Sequence, residues 1–330
     1  MKRLLLILTL VCLLFTLTSC ELFYGETKRD IYLLSVGLSY DIEDDKNSQQ
    51  NTSPNQNEEN LLNPLAGTLP DQKGIREELK VLTEKDGSTF HEIALIEDNK
   101  TITFETNMSF TLPSSDEKEM KKNIVSAITY MSEKVKENDI FIFYYAGHGN
   151  KNGALLFYVT KNKNTNEGTR SISSTIKEEW QFPPNQLISL ISNNIKGNKL
   201  LILDSCYSGN FIEDEVKESS FASAYRDIMK SYEKRSKNLW IMAAAQKYQK
   251  SWEENKHGLF TAALLNSLGY DTTTNTPSSA YTGVVSFLEL SKDILIKLGG
   301  HLDYGNYIFT QYPLYTSTHK DLVLFDLNIY

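Results

Sequence analysis

The chain is 330 residues long, 40% hydrophobic and 23% charged, an ordinary globular composition with enough apolar residues for one large core or two small ones. With 34 Lys and Arg against 42 Asp and Glu, its formal net charge is -8. That balance argues against nucleic acid or anionic lipid as the main partner and serves chiefly solubility.

The first stretch, "MKRLLLILTLVCLLFTLTSC", pairs Lys2 and Arg3 with an apolar run too short to span a bilayer comfortably, then small residues before a cysteine. It reads as an export signal over residues 1–20, and its ending resembles the lipobox of bacterial lipoproteins, in which the cysteine, here Cys20, becomes a lipid-bearing amino terminus. The expectation is a lipid-anchored protein on the extracytoplasmic side of a bacterial envelope, with a plain secreted protein or a single membrane anchor as alternatives. Cys12 would leave with the signal and Cys20 would carry lipid, so Cys206 is the thiol that remains. A lone thiol in an exported chain is either reactive or buried and inert.

After a linker at residues 21–29, "IYLLSVG" predicts a buried strand, the start of one domain over residues 30–330. The polar stretch 41–60 is too poor in apolar residues to repay its ordering and reads as a flexible insertion. Ile75, Leu79 and Leu82 share a helical face in "DQKGIREELKVL", and "FHEIALIED" follows as a strand. "TITFETNMSFTL" reads as a pair of short strands. The segment from Ser114 to Asp139 predicts one long amphipathic helix with Met120, Ile124, Ile128, Met131 and Val135 on its stripe. "IFIFYYAGHG" is a buried strand running into glycines, "PPNQLISLISNNIKGNK" a helix bounded by Pro and Gly197, and "KLLILDS" another buried strand. Residues 213–237 are polar and mixed in charge. "NLWIMAAAQ" predicts a strand, "GLFTAALLNSL" and "VVSFLELSKDILIKLG" helices, and "DLVLFDL" a closing strand. Strands alternating with helices predict an α/β fold of three layers, helices on both faces of a mainly parallel sheet, with ligands bound beyond the carboxyl ends of the strands.

Two strand ends carry chemistry. His148 and Cys206 each follow the last buried residue of a strand, and one intervening helix would make those strands neighbours. A free thiol is only a few per cent thiolate at neutral pH, so a nucleophilic cysteine needs a base, and histidine has the pKa to serve. Gly149 beside His148, with the N–H of Cys206, would donate to a developing oxyanion.

"YYAGHG" and "LDSCYSG", with His148 and Cys206 58 residues apart, resemble the caspase and metacaspase family of cysteine peptidases. "SWEENKHGLFTAALLNSL" and "TQYPLY", with Gln311 and Pro313, are similar to later segments of bacterial members. The resemblance implies a caspase-like fold and endopeptidase activity, with Cys206 as nucleophile, His148 as acid and base, and Gly149 as an oxyanion contributor. It implies no required cofactor. Animal caspases carry glutamine two residues before the cysteine and cut after aspartate, whereas metacaspases carry an acid and cut after arginine or lysine; Asp204 stands at that position here. A carboxylate on the pocket floor would pair with a basic side chain of a protein or peptide substrate. The nearest match to the second metacaspase acid is Asp71, in "LPDQKGI". Metacaspases usually read "SGHG" and "CHSG", where this chain has Ala146 and Tyr207.

Calcium is left unassigned: "FIEDEVKE" is acidic enough to suggest it, but a carboxylate-rich loop is more often simply solvated. His257 reads as loop or helix cap, and His91, His301 and His319 lack partners at metal-ligand spacing. Lys217, Arg226, Lys230, Lys234 and Arg235 make the segment after the nucleophile a site for self-cleavage by a basic-specific enzyme. Two other functions fit the same residues: a catalytically silent caspase-like binding or scaffold module of the envelope, and a peptidase resembling clostripain or legumain.

Overall fold

A computed structural model describes residues 29–40, 61–62, 64–98, 101–158, 170–171, 177–212, 238–254, 256–277, 281–298, 301–304, 307–316 and 321–328. The expected export signal with Cys20, the polar insertion at 41–60 and the basic segment at 213–237 lie outside these residues, as do all but two residues of the acidic stretch beginning at Phe211.

The core is a seven-stranded sheet. Its strands are β1 (Ile31–Leu38), β2 (Phe90–Asp98), β3 (Thr101–Thr106), β4 (Ile140–Ala146), β5 (Asn198–Asp204), β6 (Leu239–Ala243) and β7 (Leu314–Tyr315). They lie side by side in the order β7-β6-β5-β4-β1-β2-β3. The five from β6 to β2 are parallel, and the two edge strands are antiparallel to their neighbours. Among the described residues five helices cover the sheet: α1 (Thr68–Asp86), α2 (Met120–Ser132), α3 (Pro184–Asn194), α4 (Leu259–Leu268) and α5 (Phe287–Leu298).

Side chains alternate across each strand, so the buried strands feed two separate cores. Ile140, Ile142 and Tyr144 of β4 face α1, α4 and α5 with Ile75, Leu79, Phe260 and Ile294. Phe141, Phe143 and Tyr145 face α2 and α3 with Ile124, Ile128, Leu187 and Ile191. This is the expected three-layer α/β arrangement.

Several boundaries differ from the sequence reading; the helix expected from Val284, for one, begins at Phe287, after the short strand Val284–Ser286. The long helix from Ser114 to Asp139 is a 3-10 turn at Glu117–Glu119 followed by α2, which ends at Ser132. There the carbonyl of Met131 accepts from both Lys134 and Val135, and the Asp139 carboxylate accepts from the N–H groups of Lys136 and Asp30, winding the rest into turns against β1. Of the two strands expected in "TITFETNMSFTL" only β3 forms. Asn107 then takes over the ladder, accepting from Glu92 N and donating to Phe90 O. Helix α3 stops at Asn194, three residues before Gly197, where Lys199 Nζ donates to the carbonyls of Ile195 and Gly197. The closing strand Val323–Asp326 does not join the sheet: it pairs with Val284–Ser286, and β7 takes the edge beside β6.

Candidate active site

Strands β4 and β5 are neighbours in parallel register, with Ala146 opposite Asp204. The pairing continues one step further, since Gly147 N donates to Asp204 O at 3.1 Å. His148 and Cys206 therefore leave the sheet at matching positions two residues beyond that pair. Both line one cleft of about 340 Å³, together with Asp71, Gly147, Asp204, Ser251, Trp252, Glu253 and Gly258.

His148 is held by two tyrosines. Tyr40 Oη accepts from His148 N at 3.1 Å, and Tyr145 Oη donates to His148 O at 2.8 Å. The two hydroxyls are 3.0 Å apart and both reach the carbonyl of Leu156. The Tyr40 ring also lies against the imidazole, with centroids 4.5 Å apart.

Gly149 forms an isolated antiparallel bridge with Leu155, and the hydrogen bonds of that bridge run from Leu156 N to His148 O and from Asn150 N to Ala154 O. Gly149 is thus a non-hydrogen-bonded position, whose own N–H points away from Leu155. The approach to Cys206 is close: a Cβ on Gly149 would sit 2.2 Å from the carbonyl oxygen of Cys206. Cys206 is a free thiol whose Sγ lies 3.7 Å from Ser251 O. Burial pushes its pKa up, against the opposing pull of Ser251 and of the Lys250 charge, so at neutral pH the resting group is the thiol.

The floor of the cleft is acidic. Asp204, the last residue of β5, accepts from Ser251 Oγ at 2.7 Å and from the N–H and Oγ1 of Thr261 at 3.2 and 2.7 Å. Asp71, in the first turn of α1, meets His257 Nδ1 at 2.6 Å and accepts from Gly258 N at 2.8 Å. Both acids stand at the amino terminus of α4, whose free N–H groups and dipole favour negative charge. Burial raises both pKa values; Asp71, further pushed by the Asp204 charge, reaches about 7 despite the hydrogen bond from His257. Gly258 separates them: a Cβ there would lie 2.3 Å from Asp204 Oδ2 and 3.1 Å from Asp71 Oδ2. Glu253, nearby, accepts from Gly67 N and is also raised by burial.

The structure thus brings together His148, Gly149, Cys206, Asp204 and Asp71, while Cys20 lies outside the described residues. Gln311 ties the wall in place, accepting from Trp252 N and donating to Ala244 O and Ser251 Oγ. His257, expected in a loop or cap, sits in a two-residue strand and is buried against Asp71. Its pKa is raised, first by that hydrogen bond. Ser251, Thr261, Tyr40 and Tyr145 were also missed; the one local signal was the glycine after His257. Among the described residues no cluster of three or more His, Cys, Asp or Glu is arranged to hold a metal ion, and no helix is long and apolar enough to cross a membrane.

Several solved structures are similar to this one. A protein from Geobacter sulfurreducens is 16% identical with a TM-score of 0.44, covering 88% of this chain and 95% of its own. Raptor from Chaetomium thermophilum is 12% identical with a TM-score of 0.36, covering 74% of this chain and 18% of its own. A secreted C11 cysteine protease from Bacteroides thetaiotaomicron, in complex with an irreversible peptide inhibitor, is 9% identical with a TM-score of 0.34, covering 75% and 55%. No curated protein matches the chain in sequence. The family model described as the caspase domain matches residues 55–323, most of the length, and the chain belongs to the caspase domain family.

Proposed function

We propose that this protein is a cysteine endopeptidase that cleaves after arginine or lysine, exported and tethered to the bacterial envelope by lipid on Cys20. The reading is carried by one observation: His148, Cys206 and the carboxylates of Asp71 and Asp204 line a single cleft. His148 takes the proton from Cys206 Sγ as sulfur attacks the scissile carbonyl carbon. The N–H groups of Gly149 and Cys206 hold the resulting oxyanion, and the imidazolium returns its proton to the leaving amine. Water, activated by the same histidine, then hydrolyses the thioester and frees the thiol. The substrate's guanidinium or ammonium lies between Asp204 and Asp71, where buried carboxylates make charge-assisted hydrogen bonds strong.

Fluorogenic peptides ending in Arg, Lys or Asp, given to the mature protein and to Cys206→Ala, test this. Turnover after Arg or Lys that vanishes with Cys206→Ala is expected. Turnover after Asp alone would overturn the assignment of the pocket. No Cys206-dependent turnover on any of them would leave the domain a binding module.

A further inference from the structure

We propose that His257 is a specificity-positioning residue: gripped between the Asp71 carboxylate and the Asn275 amide, its ring is a built-in cation that favours the ionised form of two facing carboxylates for a basic substrate side chain. The inference rests on the reading above that Asp71 and Asp204 receive that side chain, and it assigns a role to a residue outside the dyad and the acid pair.

The geometry selects the imidazolium. Nδ1 lies 2.6 Å from Asp71 Oδ1 and Nε2 lies 2.9 Å from Asn275 Oδ1, so an oxygen faces each ring nitrogen. A neutral imidazole donates from one nitrogen only, whereas the imidazolium donates from both. Burial requires such a charge to be paired, and His257 is only 4% exposed. The carboxylates need it in turn. The Oδ2 atoms of Asp204 and Asp71 would lie 2.3 and 3.1 Å from a single Cβ on Gly258, and like charges so close otherwise share a proton.

The surroundings add acids rather than bases. Asp71 comes from α1, Asp204 from the end of β5, and Glu253 and Glu254 from the strand paired with His257 and Gly258. Tyr144 of β4 reaches the pair through Thr261, and the turn after α4 supplies Asp271, Asn275 and the Thr272 backbone. Against these groups His257 provides the positive charge. The directions agree: His257 is raised by Asp71, and Asp71 is lowered by His257. With His257 removed, the burial of Asp71 and the Asp204 charge are opposed by the Gly258 N–H alone. Asp71 then holds its proton to higher pH, and a cation meets a half-neutralised pocket at mildly acid pH.

The test is agmatine binding, which needs no turnover. The full mature chain carrying Cys206→Ala is titrated calorimetrically at about pH 6 and about pH 8, with His257, with His257→Gln and with Asn275→Gly. His257→Gln is expected to weaken agmatine ~10-fold or more at the lower pH and to match or exceed His257 at the higher one. Asn275 is exposed at a positive φ of 55° that glycine adopts freely, so Asn275→Gly keeps the turn and shows a smaller change of the same sign. It decides the matter if His257→Gln fails to fold. An equal loss at both pH values, or none at either, overturns the role of His257 and leaves the pocket standing. Absence of agmatine binding with His257 present removes the pocket reading and this inference with it.

Discussion

Replacing Gly149 by alanine separates a catalytic role for its N–H from a packing role. The new Cβ would lie 2.2 Å from Cys206 O, where real contacts do not come closer than 3.0 Å, and 3.2 Å from Ser205 Oγ. The obstacle is a backbone carbonyl that cannot rotate aside, so the two loops must part by about 0.8 Å. An oxyanion donor works only over roughly 2.7–3.1 Å, so a displacement of that size removes one donor, which costs ~3 kcal/mol or about 10²–10³-fold in kcat. Binding of the basic side chain depends on Asp204 and Asp71 on the cleft floor and should change little. The assay is steady-state turnover of an arginyl peptide beside a thermal melt. The expected result is kcat lower by ~10²-fold, KM within a few-fold and a cooperative melt retained. A kcat within about threefold of the parent in a folded protein would refute the assignment of this N–H to the oxyanion.

Three other perturbations probe the remaining contacts. Tyr40→Phe leaves the buried N–H of His148 without its acceptor, a loss of about 1–3 kcal/mol in stability, and should lower kcat more than KM; an unchanged melting temperature by calorimetry would contradict it. Gly258→Ala is allowed by its backbone, φ -62° and ψ 133°, so its effect is steric, driving Asp204 from Thr261; the preference for arginine over an uncharged isostere should fall by ~10-fold, and a retained preference would show that these acids do not select the substrate. Because burial raises the Cys206 pKa, alkylation by iodoacetamide should keep accelerating as pH rises past the ordinary thiol range, whereas a rate that levels off below neutrality would reveal a preformed thiolate.

The placement of His148 and Cys206 at one edge of the sheet was legible because each is announced locally. A buried aliphatic run ending at Ala146 or Asp204 leaves His148 or Cys206 a fixed two residues beyond it, and parallel register carries both to the same edge of the sheet. The misjudged boundaries share a cause of the opposite kind. Apolar periodicity continues past the end of α2 to Val135, which is buried, yet the backbone is redirected by Asp139 binding Asp30 N, 109 residues away. The strand Val323–Asp326 has the same pattern whether it closes the main sheet or pairs with Val284–Ser286, so periodicity could not choose between them.

The acid pocket was half legible for the same reason. Asp204 lies two residues before Cys206 in sequence, but the meaning of His257 depends on Asp71, 186 residues away, and no spacing rule reaches that far. What joins them is the start of α4. Gly258 N donates to Asp71 and Thr261 N to Asp204, so one helix terminus orients an acid from α1 and an acid from β5 at once. Backbone donors are fixed and uncharged, and they position the carboxylates without neutralising them, as a lysine or arginine in their place would. On the function proposed above, a basic residue of the substrate would meet two oriented acids and the counter-charge of His257, and selectivity for a cation would follow from where α4 begins as much as from the two acids themselves.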